Sequence, residues 1–535
     1  MRLKLSELEN KQQWENNNYE LPQFDINKMI EKTKKNPEWI HFGAGNIFRA
    51  FPAVICQDLL NRKIIETGII VAEGYDYEII EKSIKNYDNL HISVTLKADG
   101  NADKKVIASI AEALCADTEN TNDWKRLKEI FSAPTLKMVS FTITEKGYNL
   151  KDTSGNYIKD VSKDFKNNPD KACSYIGKLA ALCYTRFKSG KLPLTLVSMD
   201  NCSHNGSKLE QAIYSFAENW VENGITEKEF IDYVKYDISY PWTMIDKITP
   251  RPSDTVIKLL EKTGLEDSKA IVTSKNTYTA LFVNAEQSQY LVIEDNFKNG
   301  KIPLDKSGTI YTDRNTVDKV EKMKVCTCLN PLHTSLAIFG CLLGYTKISE
   351  EMKDSQLISL IKNVGYKEGL PVVINPDIIS PKDFIDETIN IRFPNPFIPD
   401  APQRIACDTS QKLGIRFGET IKAYIKSDKL SVTDLEYIPL VIAGWCRYLM
   451  AIDDNGEKFD LSPDPLLLEL TKIIDKIEFG KNENVHETLS KILSNKSIFG
   501  LNLYDAGIGE KIEKYFKELN KGKKAVRETL THYCS

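Results

Sequence analysis

The chain has 535 residues, 41% apolar and 27% charged, and its 71 basic and 75 acidic residues leave a formal charge of −4. That length calls for two domains with cores of their own, and near-balanced, intermixed charge gives no electrostatic footprint for nucleic acid, so a small molecule is the expected partner. No unbroken apolar run reaches the roughly 18 to 20 residues that a bilayer requires, so no membrane partner is expected. The opening MRLKLSELENKQQWENNNYELP lacks the apolar stretch of a secretory signal. Eleven scattered cysteines suit reduced thiols in a cytoplasmic protein better than a disulfide framework.

The first half carries short apolar runs that predict buried strands: EWIHFGAG, TGIIVAEG, KVIASIAEAL, LKMVSFTIT, LPLTLVSMD and QYLVIED. Stretches of helical length separate several of them, which predicts an α/β domain with a mainly parallel sheet. Within IHFGAGNIFRAF, Gly43 and Gly45 follow the first strand and precede a helix expected from Ile47 to Leu60. Such glycines permit a tight turn and let backbone approach a pyrophosphate held at the helix N-terminus. Phe48 stands where the common fingerprint has its third glycine. Glu73 ends the next strand, where a carboxylate accepts hydrogen bonds from adenosine ribose hydroxyls and repels a 2′-phosphate, favouring NAD over NADP; alternatively, Glu73 and Asp76 simply terminate the strand. TITEKGYN, Thr142 to Asn149, is expected as a loop at the carboxyl edge of the sheet, where ligands bind in such folds.

Further along, Tyr184 and Lys188 have the Tyr-x-x-x-Lys spacing of short-chain dehydrogenases, but they fall on a helix running into a turn and the pair is set aside. SMDNCSHNGSK places Asn201 and His204 after a strand, where turn formation explains them as well as chemistry does. LDKSGTIYTDRNTVD, polar and rich in turn formers, is the expected boundary, dividing a domain 1–316 from a domain 317–535, and a substrate cleft is expected between the two. Beyond it, apolar positions recur at three- and four-residue spacing, as in LSVTDLEYIPLVIAGWCRYLMAI, and predict a mostly helical domain. The stretch KMKVCTCLNPLHTSLAIFGCLLG sets Lys324, Asn330 and His333 ahead of a buried helix. It reads equally as catalytic chemistry or as Asn330 capping a helix, with Pro331 first in it and His333 in its first turn. Cys326, Cys328 and His333 lack the second ligand pair of a structural zinc site, and no metal is expected.

Taken in order, GAGNIFRAF, TITEKGY, VSMDNCSHNG, MIDKITP, KVCTCLNPLH, RFPNPFIPDAPQRIACDTSQK and WCRYLMAIDD resemble the polyol-specific long-chain dehydrogenase/reductase family. The resemblance implies a Rossmann-type N-terminal domain, a mostly α-helical C-terminal domain, a metal-independent mechanism and NAD as cofactor. Gly43, Gly45, Asn46, Ile47, Arg49 and Glu73 would hold the cofactor, Arg49 completing the family's G-x-G-x-x-x-R. Lys324 would be the general acid/base, Asn201 and Asn330 would meet the reacting oxygen, and His333 would bind a substrate hydroxyl or orient the lysine. Asp246, Arg404 and Lys412 would line the substrate site, the last two at the family's eight-residue spacing, with Lys146 or Arg392 as further cations for a carboxylate. One departure stands out: five residues separate Lys324 from Asn330 where the family has four. A local bulge, or a lysine on an extended segment before the helix, would restore the geometry; Lys322 is a poorer substitute. CLNPLH and NPFIPDAPQRIACDTSQK are closer in style to the hexuronate-reducing side of the family, which implies reduction of fructuronate to mannonate. A polyol 2-dehydrogenase, a tagaturonate reductase or a catalytically silent NAD(H) sensor are the alternatives, and a monomer or weak homo-oligomer is expected.

Overall fold

Every residue of Trp39–Phe42 and Ile69–Glu73 is buried, as strands covered on both faces require. In chain order, Trp39–Phe42 (β1), Ile69–Glu73 (β2), Ile110–Cys115 (β3), Met138–Phe141 (β4), Leu194–Ser198 (β5) and Ile238–Ser239 (β6) form one sheet in the computed structural model, which describes residues 1–535. Their spatial order is 3-2-1-4-5-6 and every pairing is parallel, the doubly wound order of dinucleotide-binding folds. Alternate residues serve opposite faces. Ile40, Phe42, Ile70 and Ala72 pack with the helices Thr121–Ser132, Tyr175–Lys188 and Asn205–Glu222, whereas Trp39, Ile69 and Val71 pack with the helix Pro52–Asn61.

Three expectations change. QYLVIED forms the strand Tyr290–Glu294, but outside the parallel sheet: it runs antiparallel to Thr243–Asp246 and parallel to Ile310–Thr312, a short strand within the stretch read as a polar boundary. KVIASIAEAL yields two strands, Ala102–Ile107, which joins a separate four-stranded sheet, and β3. An apolar run specifies a strand without specifying its partner. The helix expected from Ile47 to Leu60 is two helices, Asn46–Ala50 (α1) and Pro52–Asn61 (α2), broken at Phe51 with φ −132° and ψ −74°. Pro52 has no N–H to donate and disfavours helical backbone at the residue before it.

The chain divides into two compact units, Met1–Leu96 with Asn101–Asp318, and Lys97–Gly100 with Lys319–Ser535. The second is helical. The helix Asn330–Leu343 (α3) and the helix Tyr437–Tyr448 are apolar nearly all round and buried nearly all round, as central helices of a core must be. The continuous helical run Arg314–Leu343 contains a stretch apolar and long enough to cross a bilayer, but 72% of that stretch is buried inside the protein, so it is a core helix.

Gly340 of α3 makes room for an acid. A Cβ there would lie 1.9 Å from Glu351 Oε1, and the Glu351 carboxyl is fully buried with neither oxygen hydrogen-bonded. Burial, reinforced by the negative charges of Asp400 and Asp354, pushes its pKa well above the ordinary carboxylate value. A carboxyl raised in this way leaves stability intact below its unfolded value of 4.5 and costs progressively more as pH rises past it. Glu351→Gln, uncharged at every pH, is therefore expected to be more stable than the wild type by about 1 to 3 kcal/mol at neutral pH. Urea unfolding across a pH series should show that advantage vanishing in the acid range; a constant difference would contradict the burial argument.

Candidate functional site

The order 3-2-1-4 reverses between β1 and β4, so the chain leaves these neighbours in opposite directions and a crevice opens beyond their carboxyl ends. The pocket there encloses about 510 Å³. Gly45, Asn46 and Ile47 line it from after β1, Thr142, Thr144 and Glu145 from after β4, Met199, Asp200 and Asn201 from after β5, and Asp246 from the end of Thr243–Asp246.

The two glycines do different work. Gly43 has φ +103°, and a Cβ on it would lie 2.2 Å from the carbonyl oxygen of Thr142; only glycine lets the β1 and β4 loops touch. Gly45 is extended, and a Cβ there would meet nothing within 4 Å, which leaves a bare backbone surface facing open space. Glu73, expected at a ribose, spends its carboxylate on this loop: Oε2 accepts from the Ala44 amide at 2.9 Å, and Oε1 from Tyr75 and Asp76 at 2.8 and 3.2 Å. Burial raises its pKa against the pull of those amides. Asp76 accepts from Thr273 Oγ1 at 2.6 Å. Arg49 is also an internal fastener. It is fully buried and donates to Ala280 O at 2.6 Å, Asn46 Oδ1 at 2.8 Å and Thr279 Oγ1 at 3.2 Å, and burial lowers its pKa to about 10.

Asp200 is the counterpart on the far wall. Its carboxylate accepts from the amides of Ile143 and Thr144 at 2.9 and 2.8 Å and from Tyr148 Oη at 2.5 Å, and burial raises its pKa despite these bonds. It holds Thr144 at φ +64°, ψ 159°, a conformation that non-glycine residues occupy only under external restraint. Asp200 and Tyr148 both lie inside motifs noted in the sequence, though neither was singled out there. Lys146, in the turn Glu145–Tyr148, is exposed and outside the pocket lining. His204 stacks on Trp242 and lies 3.1 Å from Asp318 Oδ1. Tyr184 and Lys188 both bind Glu227 at the surface.

In the helical unit, the extra residue between Lys324 and Asn330 is taken up by a π-helical turn, Lys324–Cys328, in which the Leu329 amide donates to Lys324 O at 3.1 Å. A π turn inserts one residue without disturbing the helices on either side. The bulge expected from spacing is therefore helical, and Lys324 within it is only 3% exposed. Asn330 is already inside α3, with Leu329 at the capping position and no side chain capping the end; the N-cap reading of Asn330 is off by one residue because the π turn continues the helix up to it. His333 Nε2 lies 2.7 Å from Asp400 Oδ2, and its ring packs on Phe393.

Asp400 also binds Arg404, four residues on, whose side chain is otherwise mostly exposed. Burial pushes the Asp400 pKa up, but His333 and Arg404 together outweigh burial and hold it below the usual range. Lys412 donates to Cys407 O at 2.6 Å, and Arg392 is buried. Asp400 escaped sequence reasoning although its spacing from Arg404 was a readable signal.

Fold and site thus define a chain of two units, the first an α/β unit with a dinucleotide-type crevice and the second helical. Residues 37–306 match the mannitol dehydrogenase Rossmann domain and residues 316–520 the mannitol dehydrogenase C-terminal domain. The chain belongs to the mannitol dehydrogenase family, the family its motifs resemble. It is 53% identical over 532 residues to a D-mannonate oxidoreductase of Thermotoga maritima, covering 99% of this chain and 98% of that one. To a D-mannonate oxidoreductase of Escherichia coli it is 27% identical over 440 residues, covering 81% and 84%. Among solved structures it is similar to a D-sorbitol dehydrogenase in substrate-free form, with a TM-score of 0.78, 25% identity and coverage of 96% and 97%. The fold is also that of Pseudomonas fluorescens mannitol 2-dehydrogenase in ternary complex with NAD and D-mannitol, with a TM-score of 0.70, 24% identity and 99% of each chain covered.

Gly43→Ala places a side chain against the Thr142 carbonyl at a positive φ. It should destabilise the protein by about 1 to 3 kcal/mol and lower its thermal midpoint; an unchanged midpoint would show that the two loops are not held by this contact.

Proposed function

We propose that the protein is an NAD(H)-dependent oxidoreductase that interconverts the ketone of a linear hexuronate, fructuronate, and the secondary alcohol of mannonate. The observation that carries this reading is 53% identity to a D-mannonate oxidoreductase along 99% of the chain. The residues of the β1–β4 crevice suit a dinucleotide: the open surface over Gly45 admits a pyrophosphate beside the first amides of α1, and the carboxylates at the end of β2 disfavour the extra phosphate of NADP. When bound, the reduced nicotinamide supplies the hydride.

The protein's own part is charge and proton management. Asn330 and Asn201 are assigned as amide donors to the carbonyl oxygen, stabilising the alkoxide character that develops in the transition state. The buried ammonium of Lys324 delivers the proton in reduction and takes it back in oxidation, a contribution of roughly 10² to 10⁴ in rate. His333, held from its Nε2 side by Asp400, leaves Nδ1 for a substrate hydroxyl, and Asp246 lines the same pocket as Asn201. Activity in a reducing cytoplasm, as a monomer or weak homo-oligomer, belongs to the same proposal; an odd number of cysteines, eleven, scattered along the chain suits reduced thiols there.

Steady-state oxidation of NADH with D-fructuronate, D-tagaturonate and D-fructose tests the reading, with NADPH in parallel. The highest kcat/KM is expected for D-fructuronate with NADH; a preference for D-fructose would overturn the hexuronate assignment. Lys324→Ala should lower kcat roughly 10²- to 10⁴-fold with NADH binding intact, and surviving turnover would remove Lys324 from its role.

A further inference from the structure

Buried arginines elsewhere in this protein use their donors on protein oxygens. Arg186 makes bonds to the carbonyls of Phe131, Ala133, Leu136, Leu192 and Pro193, and Arg447 reaches those of Leu519, Ile452 and Asp453. Arg416 is built differently. It stands in the π-helical turn Gly414–Gly418, partly buried, and its guanidinium has one protein partner, Thr334 Oγ1. Most of its five donors are unspent.

No acid offsets this cation. Its backbone amide bonds to Lys412 O at 2.9 Å, so the two cationic side chains rise from neighbouring turns of one helix face, and the Lys412 ammonium reaches only the carbonyl of Cys407. Burial lowers the Arg416 pKa to about 10, and burial followed by the charge of Arg416 lowers that of Lys412 against the smaller opposing pull of Asp408 and Asp464. Two like charges partly withdrawn from water cost stability that an apolar pair would not. Their arrangement suits an incoming anion.

The orientation is fixed as well. Thr334, which accepts from Arg416, donates its own proton to Asn330 O at 2.9 Å. The guanidinium is thereby tied to the first turn of α3, the turn that carries Asn330 and His333. We propose that Arg416, flanked by Lys412, seats the carboxylate of the sugar-acid substrate and so selects hexuronates over neutral polyols. This rests on the hexuronate reading above. A planar guanidinium takes a carboxylate through two parallel hydrogen bonds, which a lysine cannot reproduce. Because the carboxylate terminates the linear substrate, an anchor at a set distance from Asn330 also determines which carbon presents its oxygen to the amide.

The test uses the full-length enzyme with NAD, comparing wild type, Arg416→Gln and Arg416→Lys on D-mannonate and D-mannitol, with NADH binding and thermal midpoints as folding controls. Arg416→Gln should raise KM for D-mannonate roughly ten- to a hundredfold, with kcat little changed and whatever rate the wild type shows on D-mannitol preserved. Arg416→Lys should fall between, and it carries the test if the glutamine variant does not fold. If the wild type oxidises D-mannonate and Arg416→Gln keeps its KM, or loses both substrates equally, the anchor assignment is overturned and the hexuronate reading stands. If the wild type itself prefers D-mannitol, the hexuronate reading fails and the anchor falls with it.

Discussion

The carbonyl oxygen of Thr142 stands where a side chain on residue 43 would have to be, and the rest of the crevice depends on that approach. It binds the loop after β1 to the loop after β4 at the point where the sheet order reverses. Around it, two buried carboxylates hold the walls. Glu73 gathers the amides of Ala44, Tyr75 and Asp76, and Asp200 gathers those of Ile143 and Thr144. Each buried acid pays its desolvation with backbone hydrogen bonds, and what results is a preorganised loop set with a bare patch over Gly45.

The helical unit solves a different problem, placing polar groups in the first turn of a helix that is otherwise core. The π turn Lys324–Cys328 lets Lys324 and Asn330 keep helical continuity despite the extra residue. Asp400 then holds His333 from one side while Arg416, through Thr334, is tied to the other end of the same turn. Thr334 links the Arg416 guanidinium to the Asn330 carbonyl, four residues back along α3, so the cation is referred to the turn that carries His333.

Much of this was legible in the sequence because period and punctuation carry it: all-apolar runs for the parallel strands, Gly43 after β1, and ordered motifs that resemble one family. What was illegible has a common physical cause. A carboxylate's partner is decided by loop geometry, so the sequence does not show that Glu73 accepts from the amides of Ala44, Tyr75 and Asp76, nor that Arg49 donates to the carbonyl of Ala280. Sheet membership is equally non-local, which is why QYLVIED looks like a sixth parallel strand and instead pairs antiparallel with Thr243–Asp246. Arg416 was missed because its significance lies in the neighbours it lacks, which folding alone decides, whereas Asp400 carried a readable signal in its four-residue spacing from Arg404.

The most direct test of the account is NADH binding to Gly45→Asp, followed by fluorescence. Aspartate is a good N-cap residue and the site has room for it, so the ligand-free protein should keep its thermal midpoint. A side chain and a negative charge placed where the pyrophosphate belongs should weaken NADH binding at least about tenfold. Unchanged affinity in a folded variant would mean that the dinucleotide does not occupy the β1–β4 crevice.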